Sequence, residues 1–434
     1  MADRSNQAAR WLGSPMTWLA VLVAGAMGSI MTFSYIGGFL DPVGHLDGAP
    51  VGFVNADAGV TIAGAQLDAG SQLQAEVTSG TDGSIDWQVL DDRSEAERRL
   101  RNNELWGAVV VPQDFSVSLA QVGTSMGTAP PAKLAILENQ GSGLFQATTF
   151  SELSDRVVAT AAAQANQQLV GLLGTDATFT MQGATNLGTP VQADTRAVVE
   201  LPEKSGRGLA PLYLAVMVSL TGFLAASIVS IGIDLLRGSE RLEILGHTVG
   251  LRIDGTGTMW RLWLVKGLGT ALGAALGGVL AIATAVSILG MDVASAGKIY
   301  ALGALGAVAV GMISLVFLIV FGIAGELLGV LFTTILGVPS AFGVYPTEAM
   351  PGFFRFVGSW HPLRYLTDGI RSIAFFDASG AGLDRAVTVL AVWLAGAAVL
   401  GAAVAWLTRL SWMSLKENGP YRAISLQRRA SQPG

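Results

Sequence analysis

Six stretches of 19 to 28 residues run through this sequence almost without charge, at residues 16–40, 209–236, 262–289, 299–322, 327–345 and 386–407. An α-helix rises about 1.5 Å per residue, so about 20 residues cross the roughly 30 Å apolar core of a bilayer. Each run is long enough, and the chain is expected to be a polytopic α-helical membrane protein with six transmembrane helices. The alternative is a soluble protein with buried helices. Against it, charged residues make up only 13% of the chain, where soluble domains carry about 25%. Glycine-rich stretches such as residues 267–278 suit helices that approach closely in lipid, where small residues make the contact. Asp234, Lys266 and Glu326 fall near run ends, where long side chains reach the interface. A proton relay is the sharper alternative for these three.

Charge is unevenly placed. Residues 41–207 hold 20 Asp and Glu against 9 Lys and Arg, and this segment reads as a solvated domain inserted after the first helix. Short basic segments orient the rest. Arg4 and Arg10 precede the first run, Arg237, Arg241, Arg252 and Arg261 join the second to the third, and Arg409, Lys416, Arg422, Arg428 and Arg429 follow the last. With six crossings these segments share one side, which the positive-inside rule makes cytoplasmic. Arg355, Arg364, Arg371 and Arg385 fall on the other side and weaken the pattern without reversing it.

The expected organisation is therefore a cytoplasmic segment at 1–15, a transmembrane helix at 16–40 and an extracytoplasmic α/β domain with its linker at 41–207. Helices two to six follow within 208–408, with an outer helical hairpin at 346–380, and then a cytoplasmic tail at 409–434. Both termini are expected inside a bacterial cell (inner) membrane. The first run is too long for a signal-peptide core and no small-residue cleavage site follows it, so it is expected to remain as an anchor. The chain has no cysteine, so the outer domain is stabilised without disulfides.

Within 41–207 the sequence alternates strand-like and helix-like segments. Residues 50–54 form a short apolar run, and 63–78 follow with helical spacing. Residues 85–90 alternate in part, and Ser94-Glu95-Ala96-Glu97 has the pattern of a capping box. Residues 106–111 are the most strand-like, and Asp114 is placed to cap a short helix holding Phe115 and Leu119. A fourth strand is expected at 133–137, then a long helix at about 144–173 leading into a polar linker. This grammar argues for an α/β sandwich.

Catalytic and metal-binding patterns are missing from the sequence. His45, His247 and His361 are scattered, with no cysteine to join them in a zinc site. Gly141-Ser142-Gly143 does not fit G-x-S-x-G and reads as a turn before the long helix. The G-x-x-x-x-G-K-[ST] phosphate loop does not occur, so energy from nucleotide has to come through a partner. A net charge of −6 and small basic clusters argue against nucleic-acid binding.

One helix, a large outer insertion and five more helices resemble the permease subunits of type-2 ABC exporters, and the insertion resembles that of the YhgE/Pip (phage infection protein) group. Val51-Gly52-Phe53-Val54-Asn55-Ala56-Asp57-Ala58-Gly59 is similar to the opening of that outer domain. Trp106-Gly107-Ala108-Val109-Val110-Val111-Pro112-Gln113-Asp114-Phe115-Ser116 and Leu137-Glu138-Asn139-Gln140 are similar to its later strands. The larger members carry a long coiled-coil insertion, of which this chain keeps only the helix at about 144–173.

The resemblance implies a permease that moves a hydrophobic or lipid-like substrate outward. It also implies membrane lipid, a second permease copy and a cytoplasmic ATPase as partners, with ATP as a cofactor only through that ATPase. It places ATPase coupling at Glu240, Arg241, Glu243, Leu245 and His247, in a joint long enough for a short helix along the membrane face. Leu242, Ile244 and Leu245 would enter a groove on the partner, although attraction of the arginines to anionic lipid explains the same joint. It places an outer hairpin gate at Pro351, Phe354, Trp360, Pro362, Arg364 and Arg371. Packing against the outer domain accounts for those residues equally well. The competing function is an envelope interaction or phage-attachment protein without transport, and a membrane enzyme is the least supported reading.

Overall fold

A computed structural model describes residues 15–37, 41–62, 65–80, 83–172, 180–236, 242–244, 247–249 and 259–407. The chain falls into two compact units. One comprises Met1–Tyr213, Gly290–Lys298 and Ile335–Asp384, and the other Leu214–Leu289, Ile299–Thr334 and Arg385–Gly434.

The first unit begins with helix α1 (Pro15–Gly37) and then alternates short elements. They are β1 (Ala49–Asn55), β2 (Val60–Ile62), β3 (Ala65–Leu67), α2 (Ala69–Ser79), β4 (Ile85–Leu90), α3 (Arg93–Arg101), β5 (Gly107–Val111) and α4 (Phe115–Thr124). There follow β6 (Ala132–Asn139), α5 (Leu144–Leu172), α6 (Met181–Gly188) and β7 (Val191–Val199). Five strands form one sheet in the order β4-β1-β5-β6-β7, parallel except between β5 and β6. Side chains alternate across a strand, and the apolar run of β5 divides accordingly. Val109 and Val111 join Phe53, Leu134, Ile136, Phe115 and Phe150 on one face. Ala108 and Val110 join Val54, Leu137, Ala96 and Leu100 on the other. Helices α2, α4 and α5 cover the first face and α3 the second, which is why a nearly continuous apolar strand sits at the centre.

Local expectations shift in four places. The helix expected at 63–78 starts at Ala69, because Val60–Ile62 and Ala65–Leu67 pair as antiparallel strands before it. The cap of helix α3 lies two residues before the predicted one: the Asp92 carboxylate accepts from Glu95 N at 2.8 Å and holds the N-terminus instead of Ser94. A hydrogen bond from the Ser94 side chain, followed by that one from Glu95 N, holds the Asp92 carboxyl below the usual range. Asp114 makes no side-chain cap on α4. Asp57 does that work, accepting from Ser116 N at 3.0 Å and, through its other oxygen, from Gly70 N of α2 at 3.0 Å. The stretch expected as a polar linker contains α6 and β7. Strand β7 is at the sheet edge with most side chains exposed, so it carries little of the apolar signal that reveals a strand.

The remaining elements are α7 (Ala210–Leu236), β8 (Leu242–Ile244), β9 (His247–Val249) and α8 (Met259–Ala283). After them come α9 (Ala296–Phe321), α10 (Ile323–Val330), α11 (Gly352–Gly358), α12 (Pro362–Phe375) and α13 (Leu383–Leu407). Among the described residues, four helices are long and apolar enough to cross a membrane: Ala210–Leu236, Trp260–Ile288, Ala296–Phe321 and Leu383–Leu407. Two shorter apolar helices, Val21–Gly37 and Ala324–Leu336, coincide with the first and fifth predicted runs. The fifth run was expected to be helical to residue 345, but its helix ends at Leu336. Gly337 and Pro339 follow at once, and proline both lacks a donor and clashes with the preceding turn. Gly322, at φ +61° and ψ −132°, separates α9 from α10 in a conformation other residues rarely adopt.

In the second unit glycines set the helix spacing. A Cβ on Gly222 of α7 would lie 2.2 Å from Ala307 O of α9, and one on Gly278 of α8 would lie 2.6 Å from Gly303 O of α9. Backbones therefore touch, as small residues allow in lipid. Leu268, Leu272, Leu276 and Leu280, four residues apart on α8, are all exposed and form one apolar face.

Candidate functional site

The segment expected as an outer hairpin is two helices, α11 and α12, joined at Ser359–His361. Pro351 stands as the N-cap residue of α11, and Pro362 opens α12, where His361 Nδ1 accepts from Leu363 N at 3.2 Å. Proline suits a first helical turn because its missing donor is not needed there. Phe354 is buried with Phe342 and Met350, while Phe353 and Phe356 are exposed and Trp360 is half-buried. Of the six residues expected at a gate, Phe354, Pro362 and Arg371 are buried and Pro351, Trp360 and Arg364 are half-buried. Every residue of α12 except Arg364 and Asp368 is buried. Within this unit the hairpin packs against the sheet-bearing region: a Cβ on Gly141 would meet Phe376 at 3.0 Å, and Arg355 Nη1 lies 3.2 Å from Asp47 Oδ2.

Arg364 and Arg371 come together through Asp368. The Arg364 guanidinium lies over the Phe342 ring at 4.7 Å and stands 3.7 Å from Asp368 Oδ2. Arg371 Nη1 stands 3.8 Å from Asp368 Oδ1. Burial pushes the Arg371 guanidinium down and Asp368 opposes it, although arginine keeps its charge in proteins.

The joint between α7 and α8 departs from the expected short helix. Its described residues pair as antiparallel strands, with Glu243 opposite Thr248 and Ile244 opposite His247. The β-branched Ile244, Thr248 and Val249 favour an extended chain over a helix. Of the expected coupling residues, Glu243 and His247 lie on β8 and β9, while Glu240, Arg241 and Leu245 lie outside the described residues.

The expected snorkelling of Asp234 and Lys266 is also corrected. Lys266 is 4% exposed, and its Nζ lies 2.6 Å from Asp234 Oδ2 and 2.9 Å from Ser230 Oγ. Ser227 Oγ, one turn farther along α7, donates to Glu326 Oε2 at 3.0 Å. Ser227, Ser230 and Asp234 fall three and four residues apart and so share one face of α7, which meets Lys266 of α8 and Glu326 of α10. A buried ammonium is costly unless paired, and here the partner stands on the preceding helix. The clue was in the sequence: opposite charges lie within about two turns of a common joint, which brings them to similar depth on antiparallel helices.

Among the described residues no group of His, Asp and Glu is arranged to hold a metal ion. The family model for "ABC-2 family transporter protein" matches residues 15–407. This chain belongs to that family. Its apolar helices and the family together make it a multi-pass membrane protein of the ABC transporter permease type. A curated relative, "Uncharacterized protein YhgE" of Bacillus subtilis (strain 168), is 28% identical over 136 residues, which are 31% of this chain and 17% of that protein. The match thus spans about a sixth of the relative's length. No solved structure matches the chain.

Proposed function

We propose that this chain is the permease subunit of an exporter that moves a hydrophobic or lipid-like substrate outward, driven by a cytoplasmic ATPase on a separate polypeptide. The observation that carries this reading is the family match, which extends from the first apolar helix to the last. Support for a separate ATPase comes from the sequence, which contains no G-x-x-x-x-G-K-[ST] phosphate loop. Support for an apolar cargo comes from the long helices. Lys266 pairs with Asp234, and Glu326 accepts from Ser227, so these three charges in the apolar helices are engaged within the protein.

In this reading all six apolar helices cross a bacterial inner membrane, with both termini inside and residues 41–207 outside. The joint holding Glu240, Arg241, Glu243, Leu245 and His247 docks the ATPase, and the outer hairpin borders the exit. The exposed leucine face of α8 meets lipid or a second permease copy. A pull-down of the full chain from its native membrane tests the docking. A nucleotide-hydrolysing subunit should co-purify with the wild type and be lost from Leu245→Asp and from a deletion of residues 240–248. Equal recovery with the deletion would overturn the coupling assignment.

A further inference from the structure

The first unit contains a cavity of about 280 Å³ where Asn102, Asn103 and Gln146 face the hairpin residues Glu348, Arg364 and Arg371. Arg371 is the anomaly in its wall. It is 5% exposed, and a guanidinium has five N–H groups to donate. It makes one hydrogen bond, from Nη2 to Gly343 O at 3.5 Å, and Nε has no partner. The 3.8 Å separation from Asp368 is beyond hydrogen-bond length. A buried cation so poorly satisfied costs free energy that the fold recovers only if another group completes its shell.

The neighbouring carboxylates leave that shell open. Asp368 is shared between Arg364 and Arg371. Glu104 is already engaged, with Arg99 at 3.2 Å and Asn102 Nδ2 at 3.2 Å. None of the three carboxylates in the wall, Asp368, Glu104 and Glu348, hydrogen-bonds Arg371, and the opposite wall offers side-chain amides. Another part of the wall is strained. Asp377, Ala378, Gly380, Ala381 and Gly382 all have positive φ, and the last two line the cavity. Non-glycine residues hold that conformation only where surrounding structure imposes it.

We propose that this cavity is a binding site for a phosphoryl oxyanion, with Arg371 as its principal cation and the amides of Asn102, Asn103 and Gln146 as further donors. Guanidinium groups bind such oxyanions through paired, charge-assisted hydrogen bonds. The volume far exceeds the roughly 30 Å³ of one water and suits a phosphorylated small molecule or a lipid headgroup rather than a polymer. The site does not depend on the direction or cargo of transport.

The test uses the full chain in phosphatidylcholine nanodiscs, so that no turnover is needed. One arm titrates glycerol 3-phosphate by calorimetry. The other adds phosphatidylglycerol and measures its retention by native mass spectrometry. Saturable heat in the first arm assigns a soluble source, and retention in the second alone assigns a lipid headgroup. Either signal should weaken at least tenfold in Arg371→Gln. Arg371→Lys, which keeps the charge but not the planar fork, should show the same loss and serves if the glutamine variant does not fold. Binding in neither arm, or binding unchanged by both substitutions, would overturn the proposal.

Discussion

The Lys266 ammonium and the Asp234 carboxylate, 2.6 Å apart, join two successive apolar helices through an ion pair that leaves the lysine almost wholly buried. Breaking a buried pair from one side strands the other charge, at a cost of about 3–5 kcal/mol. Asp234 is partly exposed, which puts Asp234→Leu at about 3 kcal/mol on the lower side of that range. The double variant Lys266→Met with Asp234→Leu should come within about 1 kcal/mol of wild type. Thermal unfolding in detergent checks this, and additive losses would mean the two groups act independently.

Asp57 holds the N-termini of α2 and α4 together, so Asp57→Ala removes partners from both. Loss of one cap costs about 0.5–2 kcal/mol, and two place the expected loss at about 2–3 kcal/mol. Asp114→Ala, at a position with no side-chain cap bond, should stay within about 0.5 kcal/mol. Equal losses would restore Asp114 as the cap.

The contact between Gly222 and Ala307 predicts a graded response to size. Gly222→Val places side-chain atoms where backbone already stands, and overpacking of this kind costs about 1–3 kcal/mol. Gly232→Ala, with nothing within 4 Å of the new Cβ, should be tolerated. The yield of folded protein from membranes and its melting temperature both read the difference.

Glu348 gives a pH signature. Its folded pKa is raised from the ordinary 4.5, chiefly by burial, while Arg364 and Arg355 pull it back. A carboxyl shifted in that direction contributes stability that is full below its unfolded value and is lost as pH rises through the folded one. Wild-type melting temperature should therefore fall, from about pH 4.5 upward, by a component that Glu348→Gln lacks. Parallel pH profiles for the two proteins would rule out a buried Glu348 as the source.

Cysteine labelling tests the topology, because the chain has no native cysteine. Ser142 is 2% exposed and a poor reporter whichever side it occupies, whereas Ser151 is exposed. Ser151→Cys should react with an impermeant maleimide added outside, and Ser239→Cys should not. The reverse pattern would invert the proposed orientation and, with it, the placement of the docking joint.

Much of the fold was legible because hydrophobic length is a strong signal. The runs at 209–236, 262–289, 299–322 and 386–407 each return as a long apolar helix, within a few residues at either end. The strand at β5 was legible for a related reason, since a strand buried on both faces has no polar positions to disguise it. Strand β7 and helix α6 were hidden because an exposed edge element looks like any polar loop. The cap on α4 was hidden differently. Asp57 and Ser116 are 59 positions apart, and local patterns favour the nearer Asp114. The cavity at Arg371 was beyond reading, because residues 102, 146, 348 and 371 meet only once the chain has folded.

The close approach at Gly222 and Gly278 also limits how the second unit can move. Helices α7, α8 and α9 touch through main-chain atoms, and such contacts have no rotamers with which to adjust. A slide of one helix past another would drive a carbonyl oxygen into the neighbouring backbone. The spacing of these three helices is therefore fixed by main-chain contact, and any side chain at Gly222 or Gly278 would have to part them.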